Sequence, residues 1–397
     1  MTQSTPSVSN PLLQLWRNKE SRGVIIQIFT MLVVFALLAA IARNVVINLE
    51  AVGKEFSFGF LLWPAAYDIG FSPFLEYTNQ STHLRAGVVG LLNTLLVAFW
   101  GCLLATALGF VLGIMRLSSN WLVNKVSYVY VEFMRNVPIL IHILAIYALV
   151  VTLLPSAKKA INVGADAFFL SNRGFYVPSP VFEDGATFVG IVILISIALI
   201  FFFKRWARRA QDQTGKIYPV LWISIGVLIV LPGIAFVAKG MPISWDVPVL
   251  KGFNFKGGMA IKPEFLALWL GLSLYTACFI AEIVRAGIAA VSHGQSEAAF
   301  ALGLRPNRTL QLIIIPQAMR VIVPPLCSQY LNLTKNSSLA IAIGYMDITA
   351  TLGGISLMQT GKEMETMLIV MGVYLVISLL ISAFMNWFNH RIKLTER

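Results

Sequence analysis

The residues whose types and spacing most strongly indicate a function lie between positions 295 and 316. Residues 297–302 are good helix formers, and Gly303 is a natural stop because glycine adopts the left-handed conformation that ends many helices. A turn over 305–307 precedes a second short helix from Thr309, which Pro316 is expected to close or kink. The spacing therefore predicts a compact helix–turn–helix. Its predicted exposed residues are Phe300, Leu302, Leu304, Arg305 and Arg308.

This amphipathic element, placed between two apolar segments, has two interpretations. It could dock onto a cytosolic partner, as amphipathic helices do when their apolar face enters a groove. It could also be a plain helical loop that lies against lipid headgroups. The residues by themselves leave both interpretations open.

A second group of candidate residues lies within an apolar stretch and could contact a substrate. Lys335 is surrounded by Asn332, Asn336, Ser337 and Ser338. Ionisable residues inside a membrane segment are costly, so each is a functional hypothesis by default. Ammonium and amide donors would suit the carboxylate of an amino acid. The alternative is that the helix has already reached the outer surface at this point.

Two acid–base pairs are spaced to meet on one helix face, namely Glu132 with Arg135 and Glu282 with Arg285. Both pairs lie near the predicted cytoplasmic ends of spans, where long side chains reach water easily. Structural ion pairing is therefore favoured over substrate contact.

No residue pattern predicts catalysis or cofactor binding by this chain. No GxxxxGK[ST] phosphate loop occurs, and the four histidines are dispersed. Cys102, Cys278 and Cys327 lie far apart and are interpreted as small packing residues. We therefore expect no metal site and no cofactor bound by this chain.

Membrane helices must position all of these residues. The 397 residues are 57% hydrophobic and 12% charged, about half the ~25% charged share usual for soluble domains. Because the apolar residues come in long blocks, a soluble enzyme, a secreted disulfide scaffold and a disordered chain are excluded. A span needs ~20 mostly apolar residues, so we predict an all-α polytopic membrane protein with about eight transmembrane helices. The candidate spans are 24–42, 88–113, 128–154, 187–203, 219–237, 264–284, 320–345 and 366–386.

Basic residues predict the orientation of these spans. With the N-terminus inside, the inner loops hold more than half of the 30 basic residues, and the cluster over 204–209 is the strongest indication. This pattern explains the net charge of +12 without nucleic acid, and both termini are predicted to be cytoplasmic. The first segment is interpreted as an uncleaved anchor. The rival reading is a signal peptide cleaved after Ala42.

Loops divide the chain into four parts. These are residues 1–87 with the anchor helix and an outside loop, 88–154 with the first part of a core, 155–263 with an inserted two-helix block and outside loops, and 264–397 with the rest of the core. Small residues recur every four positions on the second segment, which lets another helix approach closely. Lipid-facing glycine is the alternative. The stripe consists of Gly101, Ala105, Gly109 and Gly113.

The 295–316 stretch resembles the EAA loop of ABC importer permeases in residues and spacing. The matching residues are Glu297, Ala298, Ala299, Gly303, Ile313 and Pro316. Ile315 stands where that motif usually has leucine. In the family, this loop forms coupling helices that sit in a groove on the ATP-hydrolysing subunit. The resemblance thus favours docking and implies that ATP and Mg bind a separate chain, so that this chain is not an enzyme.

Further stretches resemble the polar amino-acid branch of these permeases, the histidine-permease subfamily. They are 132–140, 281–287, 294–295, 316–324 and 335–339, and the resemblance covers about 86–154 and 264–392. His142 replaces the glutamine often found four residues after Pro138. The resemblance extends the candidate substrate path, which then comprises Asn136, His142, Asn332, Lys335, Asn336 and Ser337.

The resemblance also implies an architecture, a function and partners. Five of the predicted spans supply a five-helix permease core, and the first span and the pair within 155–263 are additions resembling those of a general L-amino-acid importer permease. The implied function is L-amino-acid transport across the bacterial inner membrane by alternating access. The implied partners are a cytosolic ABC ATPase dimer, a second homologous permease subunit (a heterodimer is favoured), a periplasmic amino-acid-binding protein and the lipid bilayer, with no nucleic acid.

Two other function classes compete with this one. An ion-coupled secondary amino-acid transporter would use midplane carboxylates and inverted repeats. The near absence of central Asp and Glu argues against it. A membrane-embedded enzyme would need a metal or acid–base constellation, which the spacing does not provide.

Overall fold

The computed structural model describes residues 19–51 and 53–392. Within them, seven helices are long and apolar enough to cross a membrane, or eight if the bent pair over 121–153 is one span. This confirms the all-α polytopic fold with about eight spans. The helices are α1 (Lys19–Ala51), α2 (His83–Met115), α3 (Trp121–Asn136), α4 (Ile139–Leu153), α5 (Ala186–Thr214), α6 (Val220–Ala238), α7 (Pro263–Ala289), α8 (His293–Ala301), α9 (Pro306–Thr309), α10 (Ile315–Asn336), α11 (Leu357–Thr360) and α12 (Glu363–Ile392).

The third predicted span, 128–154, is wrong as a single helix. It consists of α3 and α4, which meet at an angle of 106°. Pro138 has no N–H to continue a helix and disfavours helical backbone before it, so Val137 is extended, with φ −107° and ψ 132°. The helix α3 also begins earlier than predicted. Its N-cap is Asn120, whose side-chain oxygen accepts from the N–H of Leu122 at 3.0 Å.

The seventh predicted span, 320–345, is part of a longer helical segment over Pro306–Ile343. The expectation that Pro316 closes a short second helix is wrong, because the helix continues past it; a kink at Pro316 stays a prediction. A π-helical turn over Leu310–Ile314 directly precedes Pro316, and this wider turn relieves the clash between a proline ring and the preceding carbonyl. The second arm of the 295–316 stretch is thus continuous with a span.

The small-residue stripe of α2 packs against helices of this same chain. All four of its residues are buried. A Cβ on Gly109 would lie 2.5 Å from Ile280 of α7, and one on Gly113 would lie 2.7 Å from Val284 of α7. At Gly101 it would lie 3.0 Å from Leu333 of α10. The stripe is therefore a close-approach surface in the core, and the alternative of lipid-facing glycine is wrong.

The inserted block is a helical hairpin whose outer loops fold into small β-sheets. α5 packs against α6. The strands, which the sequence analysis did not predict, are β1 (Ile161–Gly164), β2 (Phe168–Ser171), β3 (Gly174–Val177), β4 (Ser179–Phe182), β5 (Ile243–Asp246), β6 (Val249–Lys251), β7 (Asn254–Lys256) and β8 (Met259–Ile261). One antiparallel sheet has the order β1-β2-β3-β8, and β4 pairs with β5 and β6 with β7.

The helix ends refine the predicted boundaries. The boundary at 87/88 falls inside α2, which begins at His83 after the N-cap Thr82. The boundaries at 154/155 and 263/264 fall at the end of α4 and the start of α7. α1 continues as a helix through Ala42, and whether it is cleaved stays a prediction. Residues 1–18 and 393–397, which include both chain ends, lie outside the described residues.

The substitution Gly109→Ala should destabilise the protein. Its Cβ would overlap the buried Ile280 side chain and lie 3.1 Å from the carbonyl oxygen of Ala277. Overpacking of this kind costs about 1–3 kcal/mol. Thermal unfolding in detergent, followed by circular dichroism, should show a Tm several degrees lower. Gly226→Ala is the matched control, because a Cβ there meets open space in α6 and alanine is the better helix former. Equal Tm values for wild type and Gly109→Ala would contradict the proposed packing.

Candidate functional site

The first arm of the 295–316 stretch is α8, which ends as the sequence predicts. Gly303 has φ +75°. Its N–H donates to the Phe300 carbonyl at 2.9 Å, and the N–H of Leu304 donates to the Ala299 carbonyl at 3.1 Å. This pair of bonds is a Schellman motif, which satisfies the last carbonyls of the helix. The predicted helix over 297–302 and its stop at Gly303 are therefore confirmed.

The second arm turns back at once and is braced against the first. Pro306, predicted to lie in a turn, is instead the first residue of α9, a position that suits proline because no N–H is needed there. The Gln317 side chain donates to the Gln295 side-chain oxygen at 3.1 Å, so the two arms are bonded at their membrane ends. We call residues 293–317 the cytosolic hairpin, after the side of the membrane that the basic residues predict for it.

The cytosolic hairpin presents an apolar pair flanked by cations. The side chains of Phe300 and Leu302 are 50% and 81% exposed, and Arg305 and Arg308 are also exposed. Leu304, which was predicted to be exposed, is half-buried because its N–H is drawn back towards α8 by the Schellman motif. A fixed surface of this kind can dock onto a protein groove.

The motif residues divide between the surface and the interior of the cytosolic hairpin. Ala299 faces inward with 1% exposure, and Ile313 is half-buried. The exposed members are Glu297, Ala298, Gly303 and Pro316. The inward members are covered by this chain, and the outward members are accessible to another chain.

A three-residue ion cluster lies where α7 leads towards the cytosolic hairpin. Glu282 pairs with Arg116, which directly follows α2, and with Arg285, whose Nε lies 3.1 Å from the carboxylate. The Arg116 carbonyl accepts from the Asn124 side chain of α3 at 2.6 Å. The predicted pairing of Glu282 with Arg285 is present. The sequence analysis missed Arg116, because its role depends on the approach of α2 to α7.

The Glu132–Arg135 pair is weaker. Its closest N–O distance is 3.8 Å, and both side chains are about two-fifths exposed, at 39% and 45%. Exposed pairs with this geometry contribute little to stability. The two predicted pairs thus differ in role, since only Glu282 connects several helices.

Lys335 lies at the depth of the middle of α2. The hydroxyls of Tyr330 and Thr106 are 2.8 Å apart, and Leu333 lies against Gly101, which is near the centre of His83–Met115. The alternative that α10 has reached the outer surface by Lys335 is therefore wrong. Lys335 and Asn332 are exposed on this chain, and no side-chain hydrogen bond or salt bridge of Lys335 occurs within the described residues.

The other candidate substrate-path residues are not joined into one site. Asn136 is exposed at the end of α3 and donates to the Glu132 carbonyl at 2.7 Å. His142 of α4 is buried between the rings of Phe133 and Tyr275, with its Nε2 unpaired among the described residues. No hydrogen bond in the described part of the chain links these two residues to the group around Lys335.

Two further candidates near Lys335 also differ from each other in accessibility. Ser337 is fully buried and donates to the Thr334 carbonyl at 2.7 Å. Asn336 is half-buried. Among the candidates in the 332–337 stretch, Asn332 and Lys335 are therefore the two that are exposed.

A buried carboxylate escaped the sequence analysis. Asp347 is fully buried and lies after α10. One of its oxygens accepts from the Ala350 N–H at 2.8 Å, and the other accepts from the Tyr374 hydroxyl at 3.1 Å. Asp347 thus caps the π turn over Thr349–Ser356. An aspartate three residues after Gly344 and directly before a helical run was the available signal.

Within the described residues, no group of three or more His, Cys, Asp or Glu side chains is placed to hold a metal ion.

Comparisons of the sequence with known proteins match this chain to transport proteins. The family described as "Binding-protein-dependent transport system inner membrane component" matches residues 205–394. The chain is 46% identical over 376 residues to the general L-amino acid transport system permease protein AapQ of Rhizobium johnstonii, covering 95% of this chain and 93% of that protein. It is 43% identical to the glutamate/glutamine/aspartate/asparagine transport system permease protein BztB of Rhodobacter capsulatus, covering 100% of both.

A solved structure of an amino acid ABC transporter with histidines is similar at a TM-score of 0.45 and 20% identity. The match covers 78% of this chain and 95% of that chain.

The substitution Glu282→Gln should destabilise the protein, because it leaves Arg116 and Arg285 without their counter-charge. We expect a loss of about 2 kcal/mol, measured as a lower Tm in detergent. Glu132→Gln is the matched control and should change stability by no more than about 0.5 kcal/mol. If the two variants lower the Tm equally, the Glu282 cluster does not hold α2 and α7 together.

Proposed function

This chain belongs to the family of binding-protein-dependent transport system inner membrane components, and on that premise we propose that it moves L-amino acids across the bacterial inner membrane under the drive of a separate ATPase subunit. It is the permease subunit of an ABC importer. The main support for drive by an ATPase is the cytosolic hairpin. It combines the EAA residues with an exposed docking surface, and a hydrogen bond joins its two arms.

The proposed mechanism is alternating access driven through the cytosolic hairpin. ATP and Mg would bind the partner ATPase, and this chain's own residues transmit the movement. α10 leaves the hairpin without a break, because Pro306–Ile343 is one helical segment, and α7 enters it through a short non-helical link over 290–292. A ligand shifts a conformational equilibrium only by binding the two states differently. The ATPase must therefore contact Phe300 and Leu302 differently in its two nucleotide states.

Lys335 supports both the substrate class and the need for a second permease chain. A cation exposed at mid-membrane depth is costly unless water or another protein surface covers it. A second, homologous permease subunit facing α10 would enclose this residue in a translocation path. The ammonium group would then be available to the carboxylate of an amino acid, the substrate class named for AapQ.

The assignment as an importer permease also leads to proposals for a further partner and for the orientation of the chain in the membrane. The family description implies a binding protein that delivers the solute, and we propose that it docks on the periplasmic side. The cytosolic hairpin and the basic cluster over 204–209 lie on one side of the membrane, which basic residues mark as the cytoplasm. We propose that both chain termini lie on that side as well, as the basic residues predict.

An ion-coupled secondary amino-acid transporter receives no support from the comparisons, whose matches are permeases of transport systems. Asp347, a buried carboxylate near mid-chain helices, has both oxygens occupied by protein donors. Both contacts tie Asp347 to the 349–356 turn and to α12, which gives this carboxylate a structural role.

The substitution Gly303→Asp should uncouple transport from ATP hydrolysis. A Cβ at Gly303 meets nothing within 4 Å in this chain, so we expect the aspartate to fit the free chain and to obstruct a docked partner. We expect at least about a tenfold loss of amino-acid uptake in proteoliposomes, equivalent to about 1.4 kcal/mol. Co-purification of the ATPase subunit should fall in parallel.

Gly361→Asp is the matched control for Gly303→Asp. Gly361 also ends a helix, with φ +63° and open space around it, but it follows α11 away from the cytosolic hairpin. Both variants carry the same left-handed strain of roughly 1–2 kcal/mol. If Gly303→Asp takes up amino acids as well as Gly361→Asp does, the hairpin is not the docking site.

The substitution Lys335→Met should impair uptake without impairing stability. The side chain forms no bond within the described residues, so the Tm should stay unchanged. Loss of a charge-assisted bond to the substrate costs about 1.5–3 kcal/mol, so the substrate concentration for half-maximal uptake should rise about tenfold or more. Lys335→Arg should retain part of the activity. Wild-type uptake by Lys335→Met would remove Lys335 from the substrate path.

A further inference from the structure

The inserted α5–α6 hairpin carries an exposed group of cations that the permease core does not use. We call it the basic patch, and it consists of Lys204, Arg205, Arg208, Arg209 and Lys216. All five residues are exposed. Within the described residues, none of them forms a salt bridge. The patch is therefore available to an anionic partner.

The helix geometry concentrates these charges. Lys204 and Arg208 are four residues apart, as are Arg205 and Arg209, so each pair stacks on one face of α5. Lys216 follows the helix end at Thr214 and adds a fifth charge at the turn. Asp212 is the acidic residue in this stretch, so the patch keeps a strong positive excess.

The depth of the patch is set by the apolar part of α5. Residues 186–203 span about 27 Å at 1.5 Å per residue, close to the ~30 Å thickness of a hydrocarbon core. Lys204 therefore lies where the hydrocarbon ends. The patch begins in the headgroup layer rather than out in the cytosol.

An aromatic pair marks the same depth. Trp206 of α5 and Tyr218, just before α6, have ring centroids 5.1 Å apart. Trp and Tyr concentrate at membrane–water interfaces because one end of each side chain is apolar and the other is polar. Trp206 lies within the run of cations, so the patch and the interfacial aromatics share one layer.

The hairpin is also positioned to bring this layer against lipid. Its main packing partner is within itself, α5 against α6, and Phe201, Phe202 and Trp222 are 64%, 67% and 73% exposed. These apolar side chains need hydrocarbon around them. The cations directly beyond them then meet the headgroups of the same leaflet.

We propose that the basic patch binds the phosphodiester headgroups of anionic phospholipids in the leaflet on the side of the cytosolic hairpin. Clusters of four to eight Lys and Arg residues directly beyond a membrane helix recognise anionic lipid in this way. The binding anchors the inserted hairpin at a fixed depth. The proposal does not depend on the transport function.

Lipid titration of the solubilised full-length chain tests the proposal. Bound lipid is counted by native mass spectrometry with phosphatidylglycerol or phosphatidylcholine as the probe. Wild type should prefer phosphatidylglycerol, and salt should weaken that preference. In the combined variant Lys204→Gln, Arg205→Gln, Arg208→Gln and Arg209→Gln, phosphatidylglycerol binding should weaken about tenfold or more, while phosphatidylcholine binding stays the same.

Three variants control this test. A combined Lys158→Gln, Lys159→Gln, Lys251→Gln and Lys256→Gln variant removes the same charge from the outer loops and should bind as wild type does. A variant with Lys204→Arg, Arg205→Lys, Arg208→Lys and Arg209→Lys keeps the charge and should keep the binding. Should the first variant insert poorly, the double variant Arg208→Gln and Arg209→Gln leaves Lys204, Arg205 and Lys216 to orient the hairpin, and its binding should be intermediate.

Several results would overturn the proposal. Equal weakening in the outer-loop variant would show a general charge effect. If inorganic phosphate at the same concentration as the lipid displaces phosphatidylglycerol, the patch is a general anion site rather than a lipid site. If the combined variant of the basic patch loses the co-purifying ATPase subunit but binds phosphatidylglycerol as wild type does, the patch serves a protein partner.

Discussion

The close approach of α2 and α7 is the constraint on which the rest of the core depends. Lipid supplies no hydrophobic drive for two helices to associate, so their contact relies on van der Waals packing between surfaces that fit. Gly109 and Gly113 provide that fit by leaving room for Ile280 and Val284. The same approach brings the end of α2 to Glu282. A larger residue in the stripe would therefore separate an ion cluster as well as a helix pair.

This contact connects the membrane core to its cytosolic hairpin. α7 runs from its contact with the glycine stripe of α2, past Glu282, towards α8. On the other side of the hairpin, α10 leads from α9 back into the membrane. A Cβ at Gly287 of α7 would overlap Ile322 of α10. The two helices are therefore packed against each other close to the hairpin. Force applied at Phe300 therefore reaches α10 through the continuous helical segment Pro306–Ile343 and α7 through the short non-helical link over 290–292.

The additions to the core are held in a different way. The loop after α1 is tied to the start of α12 by Lys54, whose Nζ lies 2.9 Å from Glu363, and by the Ser57 N–H, which donates to Glu365 at 2.9 Å. The α5–α6 hairpin instead packs mainly on itself, and the strands β3 and β8 connect its outer loops to each other. The loop after α1 is thus bonded to the core, whereas the α5–α6 hairpin makes most of its contacts within itself.

The sequence by itself determined the membrane class, the approximate spans and the chemistry of the cytosolic hairpin. A long apolar block in lipid must form a helix to satisfy its own backbone hydrogen bonds. The stop of α8 at Gly303 depends only on the local backbone conformation of that glycine. Tertiary structure decided what depends on residues distant in sequence. It showed that Arg116 joins Glu282, that the glycine stripe packs within the chain, and that Lys335 lies at mid-span. Each of these follows from the relative heights of separate helices, which packing between side chains sets and local sequence does not encode.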